Sequence, residues 1–259
     1  MRRTKLNLPM TEEKYDRLVS VIKNKKNIIL QGAPGVGKTF AAKRLAYSIM
    51  GEKDESRIEF VQFHQSYSYE DFMMGYKPVD NGFDLKYGIF YRFCLKAANQ
   101  PDKDYFFIID EINRGNMSKI FGELLMLIER DYRGTKTTLA YNGLSFSVPE
   151  NLHLIGMMNT ADRSLAMIDY ALRRRFSFSN MEPGFDSTGF IKYQDGLAND
   201  TLNELITKIK ELNNEIIQDK SLGKGFCIGH SYFCGAKECT DEWMKEIVYF
   251  DISNTCFSI

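Results

Sequence analysis

Residues Gly32-Ala33-Pro34-Gly35-Val36-Gly37-Lys38-Thr39 satisfy the pattern G-x-x-x-x-G-K-[ST] in full. Each residue type there answers a need of a bound polyanion. Glycines let the chain turn tightly and bring backbone N–H groups onto phosphate oxygens. A helix starting at this point adds positive potential at its N-terminus. Lys38 reaches the β- and γ-phosphates, and the Thr39 hydroxyl is a ligand for Mg²⁺. Further along, Phe106-Phe107-Ile108-Ile109-Asp110-Glu111 is an apolar run ending in two acids. Asp110 is expected to hold Mg²⁺, directly or through water, and Glu111 to orient and polarise an attacking water. The two segments together point to binding of a Mg-nucleoside triphosphate and hydrolysis of its terminal phosphate bond.

These residues need a frame. Asn27 to Gln31 is a β-prone run entering the glycine loop, and Lys38 to Met50 carries Ala41, Leu45 and Ile49 at helical spacing. Thr11 to Lys23 reads as a preceding helix, with Thr11 as cap and Glu12 and Glu13 in its first turn. Further strands are expected at Ile58 to Phe63, Tyr105 to Ile109, Leu152 to Met157 and Arg175 to Phe178. Helices are expected at Phe90 to Asn99, Met117 to Glu129 and Leu165 to Leu172. Strands alternating with helices predict an α/β fold with a parallel sheet covered on both faces. Two segments break the alternation. Asn81-Gly82 within Met74 to Ile89, and Asn142-Gly143 within Thr137 to Val148, lie between β-prone flanks and predict inserted hairpins. After Glu182-Pro183-Gly184 the strand runs stop. Leu202, Leu205, Ile209, Leu212 and Ile216 then recur at helical spacing, so residues 1–180 are expected to form the nucleotide-binding domain and 181–259 a smaller helical lid.

Composition excludes little and directs some. Lys plus Arg equals Asp plus Glu, so the whole chain is not built for non-specific attraction to nucleic acid. The five cysteines form no C-x-x-C pair and no Cys/His ligand cluster. No apolar segment follows the basic start Met1-Arg2-Arg3-Thr4-Lys5, and no run approaches membrane-spanning length. The expectation is a cytoplasmic protein with reduced thiols and no membrane partner.

At this point the residues resemble the AAA+ superfamily and, within it, the McrB family, the GTPase motor subunits of 5-methylcytosine-specific restriction systems. The resemblance rests on the GAPGVGKT loop and on the runs Val61 to Phe72, Asp110-Glu111-Ile112-Asn113-Arg114 and Met158-Asn159-Thr160-Ala161-Asp162-Arg163-Ser164. It rests also on Ala171-Leu172-Arg173-Arg174-Arg175-Phe176 and Ile228-Gly229-His230-Ser231-Tyr232-Phe233. It implies a five-stranded parallel sheet, a helical lid and a homo-oligomeric ring, a hexamer, with nucleotide between neighbours. It implies GTP as substrate with ATP as the alternative, and a separate McrC-like nuclease subunit that cuts DNA. The two hairpins suit insertions that face the ring's channel or partners. Asn159 matches the polar residue at the end of the fourth strand that helps Glu111 position the lytic water. Arg114, Arg173, Arg174 and Arg175 are candidates for stabilising phosphoryl charge, in trans or in cis. Arg163 is expected to orient the Asn159 loop through Asp162 or Asp169. His64 and His230 are read as structural, and Lys224-Gly225-Phe226 as a route by which the lid approaches nucleotide.

The sequence departs from the family at both ends. The first strand run begins at Asn27, with no module that reads modified DNA before it, so that reading is expected to reside elsewhere, to be absent or to have been lost. Beyond Val248 no amphipathic pattern continues, which is read as an altered or truncated lid end. A reading from another class stands beside the first: an ATP-dependent remodeller, or a nucleotide-gated assembly module, outside restriction. The phosphate loop reads phosphates rather than bases, so it does not separate the two.

Overall fold

A computed structural model of the chain describes residues 11–161, 173–235 and 238–253. The expected helix Leu165 to Leu172 and the residues Asp162, Arg163 and Asp169 lie outside them.

The chain opens with helix α1 (Glu12–Lys25), capped by Thr11, whose hydroxyl accepts the Lys14 N–H. It buries Leu18 and Ile22. Strand β1 (Asn27–Gly32) runs into the glycine loop, and α2 (Lys38–Met50) leaves it. Then come β2 (Ile58–Gln62), the short α3 (Tyr69–Phe72), the hairpin β3 (Met74–Val79) and β4 (Gly82–Tyr87), and α4 (Ile89–Ala98). Strand β5 (Tyr105–Asp110) is followed by α5 (Met117–Phe121) and α6 (Leu124–Leu127). The small hairpin β6 (Thr137–Thr138) and β7 (Ser145–Phe146) precedes β8 (Leu152–Asn159) and β9 (Ser177–Met181).

Five of these strands form one parallel sheet in the order β2-β5-β8-β1-β9. The central strands read as near-continuous apolar runs because both faces are covered. On one face Phe72, Phe90, Phe107 and Phe121 pack as an aromatic cluster. On the other, Leu18 and Ile22 of α1 and Ala41, Ala42 and Leu45 of α2 cover Ile28, Leu30 and Ile155. Parallel pairing sets Gly32 directly beside Asn159 and Gln62 beside Asp110. The carboxyl ends of β1, β5 and β8 therefore gather at one edge, where open α/β sheets bind ligands.

Four sequence expectations are corrected in detail. The segment Met117 to Glu129 is not one helix. It breaks at Gly122, whose φ of 49° is left-handed, and a Cβ there would sit 3.3 Å from the Tyr69 ring. The last strand is Ser177–Met181 rather than Arg175 to Phe178, because Arg175 is drawn off the sheet to Glu129. The second hairpin makes only the pairs Thr137–Phe146 and Thr138–Ser145, whereas the first forms six pairs and turns at Asp80-Asn81.

The fourth concerns the chain's last helices. The lid side has its own core of Phe185, Phe190, Leu202, Ile206, Phe233 and Met244. It is built on α7 (Thr188–Leu197), α8 (Asp200–Gln218) and α9 (Asp241–Glu246). Past α9 the chain does not lose its pattern at Val248. It winds on as a π-helix, Ile247–Ile252, which buries both of those isoleucines.

Candidate active site

The loop between β1 and α2 needs left-handed backbone at Gly35 (φ 71°) and Gly37 (φ 75°), which is why glycine stands there. Gly37 caps α2 without a side chain, so the helix's first N–H groups stay available to an anion. Lys38 leaves the first turn of α2 and folds back over the loop. Its Nζ donates to the carbonyls of Gly32 (3.0 Å) and Ala33 (2.8 Å) and to Asn159 Oδ1 (2.6 Å). Burial pulls this ammonium down to about 8, against the opposing pull of Glu111 and Asp110.

Asn159 ends β8 between two charges. Its Oδ1 faces the ammonium, and its Nδ2 donates to Glu111 Oε1 at 2.7 Å. An amide is the side chain that can serve a cation and an anion at once. Glu111 sits just past β5 in a left-handed conformation (φ 49°, ψ 43°), which costs a non-glycine residue energy and is typical of functional positions. Its N–H donates to Asp110 Oδ1 at 3.0 Å, and its other oxygen receives Arg114 Nε at 3.2 Å. A continuous chain thus runs Lys38, Asn159, Glu111, Arg114. Asp110, at the end of β5, and the exposed Thr39 together offer a carboxylate and a hydroxyl, hard oxygen donors of the kind Mg²⁺ takes.

The other predicted residues sort differently. Arg175 is nearly buried, 7% exposed, and paired with Glu129 at 2.8 Å, while Arg173 and Arg174 are exposed. Asn27 and Arg133 brace this corner: Asn27 Nδ2 donates to the carbonyls of Ile128 and Arg175, and Arg133 Nη2 donates to Asn27 Oδ1 at 2.7 Å. His64 is exposed and edges the Tyr67 ring, whereas the neighbouring Phe63 N–H binds the Asp110 carbonyl. Lys224 is spent on Glu182 at 3.0 Å, and it is Gly225 that lies against Thr160 beside the loop.

Sequence reasoning passed over the lid segment that touches the phosphate loop. Ser231 N–H donates to the Gly35 carbonyl at 2.8 Å, the Tyr232 ring covers Gly35, and His230 lies against Gly37. Gly229 is so close to Gly35 that a Cβ there would stand 1.9 Å from its carbonyl carbon. The signal available was Gly229 within the run Ile228 to Phe233, a glycine required by close approach of two backbones.

Comparison with known proteins agrees with this geometry. Residues 27–176 match the family described as AAA domain (dynein-related subfamily), and residues 204–253 match the McrB alpha-helical lid domain. The chain is 52% identical to the Type IV methyl-directed restriction enzyme EcoKMcrB subunit of Escherichia coli (strain K12), over 95% of this chain and 56% of that protein. It is 28% identical to the Type II restriction enzyme BsuMI component YdiS of Bacillus subtilis (strain 168), over 66% of this chain and 61% of that one. The chain therefore spans little more than half the length of these curated relatives. With a sheet, a phosphate loop and a lid that all agree, this chain belongs to the AAA domain family in its dynein-related subfamily, as a McrB-type member.

Proposed function

We propose that this protein binds a Mg-nucleoside triphosphate and hydrolyses its terminal phosphate bond as the motor subunit of a modification-dependent restriction complex. The observation that carries this is the chain Lys38–Asn159–Glu111, assembled from the first turn of α2 and the ends of β8 and β5. Lys38 exchanges the Gly32 and Ala33 carbonyls for β- and γ-phosphate oxygens. Glu111 polarises the attacking water, and Asn159 holds the carboxylate oriented while it does so. Thr39 and Asp110 would hold Mg²⁺, which would neutralise charge on the phosphates. Catalysis of this kind is positioning and electrostatics rather than covalent chemistry by the protein.

Resemblance to the E. coli relative supports GTP as the nucleotide, with ATP as the alternative substrate. It supports also a homo-oligomeric ring of hexameric form, an McrC-like nuclease subunit that cuts the DNA, and DNA contact through the complex. The nucleotide-binding domain is assigned to residues 1–180 and the lid to 181–259. In a ring, the exposed Arg173 and Arg174 are the arginines that reach a neighbour's nucleotide, Arg174 by leaving Glu129, 3.6 Å away, while Arg175 braces the turn from within. Arg114 acts on its own subunit's Glu111.

The test is phosphate release from GTP and ATP side by side, with Mg²⁺, over a range of protein concentrations, with Lys38→Ala as blank. Turnover favouring GTP and rising faster than protein concentration supports shared sites in a ring. Turnover with ATP alone moves the assignment to an ATP-driven remodeller. No turnover with either, even with a nuclease partner added, sinks the hydrolytic reading.

A further inference from the structure

Asn27 opens β1 wholly buried, and beside it lies Arg133, only 6% exposed. The Arg133 fork donates to three acceptors: Nε to the Ile128 carbonyl at 3.0 Å, Nη1 to the Pro149 carbonyl at 3.4 Å and Nη2 to Asn27 Oδ1 at 2.7 Å. Among the described residues no carboxylate pairs with it. Burial pulls the guanidinium down to about 10, so it stays charged at neutral pH. A buried cation held by neutral oxygens alone adds less stability than a well-packed apolar side chain would. What it supplies is geometry, because its planar fork fixes the groups it binds.

The Asn27 amide is thereby set in one orientation. Its Oδ1 must face the guanidinium, which only donates. Its Nδ2 then spends both hydrogens on the carbonyls of Ile128 (2.7 Å) and Arg175 (3.0 Å), which only accept. Four separate stretches of chain meet here: the start of β1, the end of α6, the base of the second hairpin and the Arg173–Arg175 turn. At the hairpin base the Gly134 N–H also binds the Val148 carbonyl. Arg175 is held twice, by its carbonyl on Asn27 and by its side chain on Glu129 at 2.8 Å. The two exposed arginines, Arg173 and Arg174, leave the chain immediately before this anchor. Stabilising charge on a phosphoryl group depends on placement, and a shift of about 1 Å costs on the order of 100-fold in rate.

We propose that Asn27, locked by Arg133, is a positioning residue for hydrolysis: it fixes the Arg175 carbonyl and so sets where Arg173 and Arg174 meet the triphosphate bound by a neighbouring subunit. Asn27 lies at the opposite end of β1 from the phosphate loop, so its effect falls on the next subunit's site rather than its own. This rests on the reading above in which those arginines act in trans, and the test separates the two.

The test is phosphate release by the full chain at saturating Mg-GTP, with Mg-ATP in parallel, and nucleotide affinity measured separately by calorimetry. Asn27→Asp keeps the size of the side chain and its bond to Arg133, but turns an oxygen instead of an N–H on the Arg175 carbonyl. It is expected to lower turnover about 10- to 100-fold and to leave affinity within about twofold. Arg133→Met exchanges a buried charge for an apolar chain, so the fold is expected to stand, and turnover falls because Asn27 is no longer locked. Subunit mixing then locates the effect. Glu111→Gln subunits carry intact arginines but lack the residue that polarises water. In an equal mixture with Asn27→Asp subunits, half the sites keep Glu111 and half of those face an intact neighbour. Turnover is expected to recover to about a quarter of wild type, well above either variant alone. Turnover within about twofold of wild type in either Asn27→Asp or Arg133→Met overturns the proposal. So does a loss that mixing fails to recover, or one matched by an equal loss of affinity, because a role in the subunit's own fold or site predicts those results. The control mixes Glu111→Gln with subunits carrying both Arg173→Ala and Arg174→Ala; if that mixture also fails to recover, the trans reading of the arginines falls, and the proposal with it.

Discussion

Replacing Asn159 with alanine removes two contacts at once, the 2.6 Å bond from Lys38 and the 2.7 Å bond to Glu111. Their consequences differ. Lys38 keeps the carbonyls of Gly32 and Ala33 and, with nucleotide bound, the phosphates, so binding is expected to change less than about fivefold. Glu111 keeps Arg114 on one oxygen and loses the Asn159 amide on the other. A hydrogen bond to a charged group is worth about 1.5–3 kcal/mol. If that bond sets the orientation of the carboxylate toward water, turnover falls by roughly 10- to 150-fold. The assay is single-turnover phosphate release at saturating nucleotide, with affinity measured separately by calorimetry. Asn159→Asp sharpens it, because a second carboxylate beside Glu111 adds like-charge repulsion and is expected to be at least as damaging. Turnover within twofold of wild type in Asn159→Ala, with affinity unchanged, refutes the assignment of Asn159 as the residue that orients Glu111.

Other expectations are equally direct. Glu111→Gln keeps the shape of the site and should bind nucleotide with near-normal affinity while losing hydrolysis; normal turnover would remove Glu111 from its role. Lys38 has a folded pKa of about 8, below its ordinary value near 10.5, so the unfolded chain binds the extra proton between those pH values. Stability of the nucleotide-free protein should therefore rise from pH 8 to 10.5, by at most about 3 kcal/mol from this group, and thermal melts of Lys38→Met should lack that rise. Gly229→Ala forces a Cβ into the Gly35 backbone and should lower both melting temperature and nucleotide affinity, whereas Gly143→Ala, which meets open space at a positive φ, should cost only about 1 kcal/mol in denaturant melts. Arg175→Ala leaves Glu129 without its closest partner and should cost about 3 kcal/mol. Arg173→Ala should leave stability within about 0.5 kcal/mol and, in a ring, reduce turnover.

The chemistry of the phosphate loop was legible in the sequence because it is local. Gly35, Gly37, Lys38 and Thr39 act through backbone conformation and through a helix that starts among them, and neither depends on distant parts of the chain. The alternation of strands and helices was legible for the same reason, since apolar periodicity is written along each element. Asp110 and Glu111 stood out as acids at the end of an apolar run, but their distance from Lys38 did not. That was decided by the strand order β2-β5-β8-β1-β9, which brings Gly32 and Asn159 side by side and closes the chain Lys38–Asn159–Glu111. Tertiary packing also separated four arginines that look alike in sequence, because burial and the Glu129 carboxylate act on Arg175 and leave Arg173 in solvent. The largest gap was the lid. A lid segment far along the chain from the loop carries no local mark of where it packs. Only the tertiary structure brings Gly229 against Gly35 and sets His230 beside Gly37.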